Sequence, residues 1–292
     1  MKAGKAAAAP LRTGLGGGQV EGHHAVHELL MAGRRRAHNL WVAGPERLNR
    51  PLQDLAALAR ERGVAVQMKP PAVLARASRT DAPQGVIAWA DDIEPVPLGE
   101  LLAPRPAGGQ AFLLVLDGVT DPGNFGSLLR SAACAGATGA VVGRHRSAPL
   151  TPGAVKAAAG AVEHLAFAQV AGVPAALLEM SRAGLWVVGL DPRGEQDIWS
   201  VAVLARPLAL VLGSEGGGLS RLTRERCDVL ARIPQVGPLE SLNVAAAGAV
   251  ACFEVARWRS RGDRADDGAP GRHMPERAFY KASPQPKRRQ PL

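Results

Sequence analysis

Six short, continuous apolar runs fill the second half of the chain, and no other feature restricts its possible folds as strongly. The runs are AFLLVLD (111–117), GAVVG (139–143), HLAFAQV (164–170), LWVVGL (185–190), LALVLG (208–213) and VLARIP (229–234). Helical segments are predicted between them, around 124–136, 152–159, 174–183 and 220–227. Strands that are apolar throughout are typical of a parallel sheet with helices on both faces. The pattern therefore predicts an α/β domain over residues 111–260.

A smaller α/β unit is predicted ahead of this sheet, over residues 19–94. Its expected helices are EGHHAVHELLMAG and RPLQDLAALARERG, and its expected strands are NLWVAG, GVAVQM and GVIAWA. Proline and glycine are then concentrated in EPVPLGELLAPRPAGGQ. These residues interrupt regular structure, so we expect a linker over 95–110 that separates two domains.

The positive charge of the chain is concentrated near its two ends. The formal net charge is +9, yet residues 19–260 carry 24 basic and 22 acidic side chains. Residues 1–18 carry three basic and no acidic side chains, and residues 261–292 carry eight basic and four acidic ones. We expect both end segments to be disordered basic tails that add salt-sensitive affinity for a polyanion. The overall charge therefore does not locate an RNA site.

Several classes of protein are disfavoured by what the sequence lacks. The three cysteines, Cys134, Cys227 and Cys252, form no CxxC pair, and the seven histidines form no metal motif. We therefore expect a reduced, cytoplasmic protein without metal, whose cysteines are small core residues. No apolar run is long enough for a membrane-spanning helix, and the charged start of the chain lacks the apolar stretch of a signal peptide.

Three loops follow strands of the second domain, and the first is GVTDPGN (118–124). It contains neither GxGxxG nor GxxxxGKS/T, so neither common phosphate-binding motif explains it. We expect the next helix to begin near Asn124, whose side chain is either an N-cap or a polar group of a site. Arg130 lies two turns into an otherwise apolar helix. Burial of its guanidinium there would require either a structural salt bridge or an anionic ligand.

The second and third loops add polar residues to the same edge. In LALVLGSEGGGLSRLTRERCD (208–228), four glycines allow a ligand to approach closely, and Glu215 is either a solvated carboxylate or a contact of a cofactor pocket. In IPQVGPLESLNVAAAGAVACFE (233–254), Ser241 is the expected N-cap of the last helix and Asn243 lies in its first turn. Loops after parallel strands meet at one edge of a sheet, so we expect a shared pocket there.

The last helix is predicted from Ser241 to Arg257, and it is apolar on nearly every side. Such a helix is expected to be buried. It therefore packs inside the fold or against a second subunit.

The sequence resembles the SpoU/TrmH group of SPOUT RNA ribose 2′-O-methyltransferases in three motifs of the same order and spacing. These motifs are DGVTDPGNFGSLLRSA, LVLGSEGGGLSRLTRERCD and IPQVGPLESLNVAAAGAVACFE, and the resemblance covers about residues 111–258. In the first domain, VEGHHAVHELLMAG and APQGVIAWA resemble the ribosomal-protein-like substrate-binding domain of members that methylate a guanosine in large-subunit ribosomal RNA. Pro83 departs from this pattern, because relatives commonly carry a histidine there.

The resemblance implies a trefoil-knotted catalytic domain, a homodimer that completes the site, and S-adenosylmethionine as cofactor without a metal. A knot is contrary to the general rule of unknotted chains, and no periodicity predicts it. Carried over by motif, the cofactor contacts are Gly213, Ile233 and Leu242. The expected partner is RNA, with ribosomal RNA favoured, and not DNA or a membrane.

The same resemblance assigns catalysis to five residues, which are Asn124, Arg130, Glu215, Ser241 and Asn243. The implied reaction transfers a methyl group to a ribose 2′-hydroxyl, most specifically of a guanosine in 23S ribosomal RNA. An arginine guanidinium stays protonated in proteins. We therefore interpret Arg130 as a ligand of the target phosphate or a stabiliser of the developing alkoxide, and not as a base.

Other functions fit part of the pattern. A noncatalytic RNA-binding factor for ribosome assembly would keep the knot without methyl transfer, but the intact Asn124, Arg130, Glu215 and Asn243 argue against it. Within the enzyme class, related chains methylate transfer RNA or protect a ribosome against an antibiotic. A dinucleotide oxidoreductase is disfavoured because no helix opens on GxGxxG.

Overall fold

A computed structural model describes residues 14–105, 109–239 and 241–265. The chain forms one four-stranded and one seven-stranded sheet, each packed against helices. Residues 1–13 and 266–292, most of the two predicted tails, lie outside the described residues.

The first domain is a mixed sheet with strand order β1-β4-β2-β3. Its strands are β1 (Gln19–Glu21), β2 (Ala37–Ala43), β3 (Ala65–Lys69) and β4 (Val86–Ala90). Its helices are α1 (His23–Ala32), α2 (Arg50–Glu61) and α3 (Pro71–Ala77). The two predicted helices are confirmed as α1 and α2, and the three predicted strands as β2, β3 and β4. The short elements β1 and α3 have no counterpart in the prediction.

The second domain is built on a sheet with strand order β7-β6-β5-β10-β8-β11-β9. Its strands are β5 (Phe112–Asp117), β6 (Gly139–Gly143), β7 (Ala166–Val170), β8 (Trp186–Leu190), β9 (Gln196–Asp197), β10 (Leu208–Gly213) and β11 (Val229–Arg232). Its helices are α5 (Pro122–Cys134), α6 (Pro152–Ala158), α7 (Val173–Arg182), α8 (Arg221–Arg226) and α9 (Val244–Ala265). Each predicted apolar run contains a strand, and neighbouring strands pair in parallel. The predicted parallel α/β sheet is confirmed.

Alternate residues of the central strands pack into two separate cores, one on each face of the sheet. On β5, Leu114 and Leu116 belong to the core that contains residues of α5 and α9. Leu113 and Val115, between them, belong to the core that contains residues of α7. All four side chains are fully buried, which explains why the strand is apolar throughout. Burial of each such side chain stabilises the fold by roughly 1.5–3 kcal/mol.

The prediction of a disordered tail over residues 1–18 is wrong for residues 14–18. The amide of Leu15 donates to the carbonyl of Ile93 at 2.8 Å, and the amide of Gly17 donates to the carbonyl of Leu150 at 2.8 Å. These bonds join the segment to both domains. Backbone hydrogen-bonding groups satisfied in this way hold a glycine-rich stretch that composition alone marks as irregular.

The predicted linker over 95–110 also contains regular structure. Helix α4 (Leu98–Leu102) begins after Pro97, and Leu101 is buried. The amide of Val96 donates to the carbonyl of Phe167, in strand β7, at 2.7 Å. The segment that connects the two domains therefore packs on the seven-stranded sheet from the first residues of that segment.

Helix α9 begins later and ends later than the sequence predicts, and it crosses the expected boundary at residue 260. Arg257 donates two hydrogen bonds to Glu254, and Arg259 donates to the backbone carbonyls of Gln110, Ala111 and Arg206. These contacts continue the helix through a stretch that composition marks as a tail.

The expectation that α9 is buried on every side is met on one face only. Ala251, Cys252 and Val255 are fully buried, but Phe253 is 53% exposed.

A buried ion pair joins the two domains. Arg35 lies after α1 and donates from Nη2 to Glu163 Oε1 at 2.6 Å, and its Nη1 donates to the carbonyl of Gly17 at 2.7 Å. The side chains of Arg35 and Glu163 are only 8% and 2% exposed. His164 lies beside this pair and bonds Glu28 of α1 at 2.7 Å. The two domains therefore share a buried ion pair beside a more exposed polar contact.

The cysteines occupy three different environments. Cys252 is buried and Cys227 is partly buried, and burial is the main cause that raises the pKa of each thiol to about 12. Cys134, at the end of α5, is exposed, so the prediction of three core cysteines is wrong at this position.

Within the described ranges, no helix combines the length and the apolarity needed to cross a membrane.

Candidate active site

The first of the three loops ends at an Asp-Pro pair that starts α5. The side chain of Asp121 accepts a hydrogen bond from the amide of Asn124 at 2.7 Å, and Pro122 occupies the first helical position. Asp121 is therefore the N-cap, and the predicted alternative that Asn124 caps the helix is wrong. Since the cap is supplied three residues earlier, the Asn124 side chain is available for other contacts.

The second loop folds back over the end of β10. The amides and carbonyls of Ser214 and Gly218 exchange hydrogen bonds at 2.9 and 3.0 Å. A Cβ atom on Gly213 would lie 2.1 Å from the carbonyl carbon of Gly218, so only glycine fits where the chain passes itself. This tight turn holds Glu215 at its tip, exposed at the carboxyl edge of the sheet.

The third loop ends at the start of α9, and Asn243 is the N-cap of that helix. Its side-chain oxygen accepts from the amide of Ala245 at 2.8 Å, and its carbonyl accepts from the amide of Ala247 at 2.9 Å. The prediction that Ser241 caps the helix and that Asn243 lies inside it is therefore wrong. Because the cap directs the side-chain oxygen of Asn243 toward the helix, the two N–H groups of this amide point away from the helix.

The three loops bring three polar side chains into direct contact. Asn243 Nδ2 donates to Asn124 Oδ1 at 3.0 Å and to Glu215 Oε1 at 3.2 Å. Asn124 Nδ2 also donates to Glu215 Oε1. We call Asn124, Glu215 and Asn243 the polar triad.

The hydrogen-bonding capacity of the triad is not fully used. Both N–H groups and the oxygen of the Asn243 amide have partners. Asn124 has one N–H group left, and among the described residues Glu215 Oε2 accepts no hydrogen bond. The triad therefore presents one donor and one negatively charged acceptor side by side.

A cavity of about 790 Å³ lies next to the triad and is lined by Glu215 and Asn243. All three predicted cofactor contacts, Gly213, Ile233 and Leu242, line it as well. The backbone of the second loop forms one wall, and apolar side chains and the first turn of α9 form much of the rest. A cavity of this size, with backbone groups beside apolar side chains, suits a nucleoside-sized ligand.

Two charged residues that line this cavity, Asp191 and Arg232, are absent from the sequence prediction, and Asp191 is the buried one. Asp191 follows β8, is 1% exposed, and accepts hydrogen bonds from Arg224 at 2.8 Å and from the amide of Arg193 at 2.9 Å. The signal was available in the sequence, because LDPRG repeats the strand-Asp pattern of LDGVT.

Arg130 lies outside the polar triad. It is six residues beyond Asn124 on α5, which turns it about 240° around the helix, and its side chain is exposed. No hydrogen bond or ion pair joins Arg130 to another described residue. The predicted burial of this guanidinium is wrong, and so is the alternative of a salt bridge with a described residue, whereas the alternative of an anionic ligand stays a prediction.

Ser241 is also outside the triad, although it lines the cavity. Its side chain is exposed and forms no hydrogen bond with the described residues. Of the five predicted catalytic residues, the structure thus brings together Asn124, Glu215 and Asn243.

The described residues contain no group of three metal-ligating side chains that could hold an ion. The triad supplies one carboxylate and two amides, a set suited to hydrogen bonding.

Two family profiles match the chain. The profile of the SpoU rRNA Methylase family matches residues 111–253, and the profile of RNA 2′-O ribose methyltransferase substrate binding matches residues 19–96. The two matched ranges correspond to the seven-stranded and four-stranded sheets.

Similar proteins cover most of the chain. The 23S rRNA (guanosine-2′-O-)-methyltransferase RlmB of Ralstonia nicotianae is 39% identical over 240 residues, which cover 82% of this chain and 95% of the relative. RlmB of Pseudomonas syringae pv. tomato is 39% identical over 254 residues, with 83% and 96% covered. The crystal structure of the SpoU methyltransferase AviRb from Streptomyces viridochromogenes in complex with the cofactor AdoMet matches with a TM-score of 0.68 and 26% identity, over 83% of this chain and 90% of that one.

Proposed function

The chain belongs to the SpoU rRNA methylase family, and from this premise we propose that it transfers a methyl group from S-adenosylmethionine to a ribose 2′-hydroxyl of RNA. The observation that carries the proposal is the polar triad at the mouth of the 790 Å³ cavity. The favoured target is a guanosine of 23S ribosomal RNA, because relatives that bear this activity in their names are 39% identical over nearly their whole length.

The residues of the cavity fit S-adenosylmethionine. Leu242 and Ile233 offer apolar surface to an adenine ring, and the loop that contains Gly213 offers backbone groups at close range. When bound, the cofactor supplies an activated methyl group on a sulfonium. The buried Asp191, held by Arg224, adds a carboxylate at the strand end that can accept from a ribose hydroxyl or an amino group.

The triad is suited to position the RNA hydroxyl. Glu215 Oε2 can accept the hydrogen of the 2′-hydroxyl, and the free N–H of Asn124 can donate to a neighbouring ribose or phosphate oxygen. If the cofactor were bound, its sulfonium would supply the methyl group to the 2′-oxygen that the triad orients, and the cofactor would leave as a neutral thioether. The hydroxyl proton leaves along the hydrogen bond to Glu215 or to solvent. Fixed orientation of the oxygen supplies much of the rate.

The proposed role of Arg130 in catalysis requires its side chain to lie near the active site of another chain. Its exposed side chain lies away from the triad of its own chain. We propose a homodimer in which Arg130 lies near the site of the partner, where it binds the target phosphate or stabilises the alkoxide. The apolar side chain of Phe253, which is 53% exposed, supports burial of α9 against a second copy.

We also propose that the second domain is knotted, as in the group that the sequence resembles. The match of residues 111–253 to the SpoU rRNA Methylase family supports this proposal, and the passage of Gly218 directly against Gly213 forms a tight turn at the cofactor site. Together with the third loop, this passage would hold the cofactor mainly through backbone groups.

The first domain, over residues 19–94, is proposed to bind the RNA, in agreement with the substrate-binding profile. The second domain, over residues 111–260, is proposed to hold the cofactor and the reacting ribose. Ribosomal RNA as substrate places the reaction in the cytoplasm.

The test is a map of ribose methylation in ribosomal RNA from a strain that lacks this protein. We expect one 23S guanosine to lose its methyl group and to regain it when the wild-type chain is returned. A chain with Glu215→Gln should fail to restore it, although it is made at normal levels. An unchanged ribosomal map would overturn the 23S assignment, and an unchanged map of all RNA would overturn the enzyme.

A further inference from the structure

A second cavity, of about 530 Å³, lies at the same edge of the seven-stranded sheet as the proposed cofactor cavity. It is formed where β5, β6 and β7 end, beside the starts of α7 and α8. In parallel α/β sheets the crevices outside the carboxyl ends of strands are where ligands bind. The polar triad does not reach this cavity, and the proposed reaction leaves it without a role.

Three consecutive basic residues follow β6 at the rim of this cavity: Arg144, His145 and Arg146. We call them the basic loop. All three are exposed, and His145 and Arg146 line the cavity directly. Residues 19–260 carry 24 basic and 22 acidic side chains, so the basic loop is a local excess of positive charge in a nearly neutral region.

The basic loop is fixed at both ends by the backbone. The amide of Arg144 donates to the carbonyl of Val170 at 2.8 Å, and the amide of Ala148 donates to the carbonyl of Val119 at 2.9 Å. Between these bonds, Arg146 adopts a left-handed conformation with φ of 56°, which is unusual for a residue with a side chain. Such a conformation persists only where the surrounding structure enforces it. The loop therefore presents its charges at fixed positions.

The opposite rim of the cavity carries Arg221, at the start of α8. Its guanidinium bonds Glu225 at 2.6 Å, but both side chains are largely exposed, so this pair can rearrange at little cost. Among the described residues that line the cavity, Asp117 is the one with a carboxylate, and its Oδ2 accepts from the amide of Ser220 at 3.1 Å. Cationic groups therefore outnumber anionic ones in the lining.

The two cavities are neighbours. We call the 530 Å³ cavity beside the basic loop the basic cavity. Gly118 lines it, and a Cβ atom on Gly118 would lie 3.4 Å from the Cβ atom of Ser214, which lines the cofactor cavity. The loop from Ser214 to Ser220 thus separates the two. An extended RNA strand with its target ribose at the triad can lay a flanking backbone across this loop.

We propose that the basic cavity, with Arg146 and Arg221 on its two rims, binds a backbone phosphate of the RNA strand that flanks the methylated nucleotide. The inference rests on the proposed function and adds to it a contact outside the reacting nucleotide. Exposed cations around an open crevice suit a phosphodiester that passes through, since phosphate contacts set the register of a nucleic acid without reading its bases. The contact fixes where along the strand the triad acts.

The experiment measures RNA affinity as a function of salt. The probe is a 23S ribosomal RNA fragment that contains the guanosine identified by the methylation map, titrated between about 50 and 200 mM salt. The variants are Arg146→Ala, Arg221→Ala and, to preserve charge, Arg146→Lys. The matched control is Arg182→Ala, which removes an exposed arginine from the last turn of α7, at the opposite edge of the sheet.

Arg146→Ala and Arg221→Ala should each weaken RNA binding about fivefold at low salt, and each should reduce the slope of log Kd against log salt by about 0.7–0.9. Their KM for RNA should rise while kcat at saturating RNA and the Kd for S-adenosylmethionine stay at the wild-type values. Arg146→Lys and Arg182→Ala should keep the wild-type slope.

Unchanged slopes in both alanine variants would overturn the inference while leaving the methyltransferase intact. If inorganic phosphate bound the wild-type chain but not Arg146→Ala, with equal RNA slopes, the cavity would serve a free anion and the RNA contact would be overturned. A wild-type chain that binds RNA but transfers no methyl group would overturn the proposed function alone. A wild-type chain that binds no RNA would overturn both.

Discussion

The two sheets of this protein divide their work differently. In the seven-stranded sheet all paired strands run in parallel, so the loops after β5 and β10 end at one edge, beside the start of α9. There they form the polar triad and two cavities. In the four-stranded sheet β4 runs against β1 and β2, so its loops are shared between two edges. The polar cluster of that domain, in which Glu21 accepts from Ser78 and Thr80, is buried and does not border a comparable cavity among the described residues.

This difference explains why the proposed methyl transfer is assigned to the second domain. A parallel sheet concentrates polar loop residues that are far apart in sequence, as Asn124, Glu215 and Asn243 are. The mixed sheet instead forms a rigid domain that packs against the domain with the polar triad. Here it is held by the buried pair of Arg35 and Glu163. Substitutions at the triad should therefore affect turnover, and substitutions at the interface should affect stability and RNA affinity.

Breaking the interface should give the largest effect. Arg35→Ala leaves the Glu163 carboxylate buried without its partner, and we expect a loss of about 3–5 kcal/mol in the free energy of unfolding. Denaturant titration of the full chain measures this loss. RNA affinity should fall as well, because the first domain is no longer fixed in orientation.

The double variant Arg35→Met with Glu163→Leu is the control. Replacing both charges by apolar side chains removes the uncompensated charge, so most of the lost stability should return. If Arg35→Ala cost less than about 1 kcal/mol, the pair would belong with surface ion pairs and the docked arrangement would be contradicted.

Removing the carboxylate of the triad should give the largest effect on turnover. Glu215→Gln replaces the charged acceptor that two amide groups share, and we expect kcat to fall by about 10²–10³-fold. Single-turnover methylation at saturating RNA and S-adenosylmethionine measures this step. The Kd for S-adenosylmethionine should change little, since Glu215 is assigned to the RNA side of the cavity.

Two substitutions at Asn243 separate its role as the N-cap of α9 from its role in the proposed reaction. Asn243→Ala removes both the N-cap and the amide donors, so stability should fall by about 1 kcal/mol and turnover should fall with it. Asn243→Asp keeps an oxygen for the cap but loses the donors to Asn124 and Glu215. We expect this variant to unfold like the wild type and to remain inactive, as measured by urea titration and methyl transfer. Normal turnover in Asn243→Asp would exclude its amide from the site.

The smallest predicted effect concerns pH at the domain interface. Hydrogen bonds with His164, and then with His27, hold the pKa of Glu28 below its ordinary value of 4.5. A lowered folded-state pKa means that the stabilisation is fully present above about pH 4.5 and is lost as the pH falls through the folded value. Glu28 is partly exposed, so its contribution is below about 1 kcal/mol.

Unfolding measured from neutral to acidic pH, with Glu28→Gln as the comparison, tests this sign. The wild type should lose its small advantage over Glu28→Gln only on the acidic side. An advantage that disappeared above neutral pH instead would contradict the assignment.

Much of the fold could be predicted from periodicity, because a strand buried on both faces leaves a continuous apolar run. Leu113 to Leu116 pack into opposite cores and are all apolar for that reason. The short elements β1 and α3 leave no such trace. The sequence places the end of α9 too early, because an ion pair of Arg257 with Glu254 within the helix and bonds of Arg259 to backbone carbonyls outside it continue the helix through a charged stretch.

The site was predictable as a set of residues but not as a geometry. Loops after parallel strands pointed to Asn124, Glu215 and Asn243, and the structure brings these together. Which residue caps a helix depends on where its first turn begins, and periodicity does not fix that residue. The caps are Asp121 and Asn243, where the sequence offers Asn124 and Ser241. The position of Arg130 in an apolar helix predicts burial, and the structure shows it exposed instead, where the proposed homodimer would bring it to the site of a partner.

The most direct test of the central claim is transfer of a labelled methyl group from S-adenosylmethionine to a ribosomal RNA fragment, with the product located by mass spectrometry. We predict a single methyl group on the ribose of one guanosine, formed by the wild-type chain and not by Glu215→Gln. Replacement of that 2′-hydroxyl by hydrogen should abolish transfer. A methyl group on a base, or equal transfer by Glu215→Gln, would contradict the assignment of the polar triad to a ribose 2′-hydroxyl.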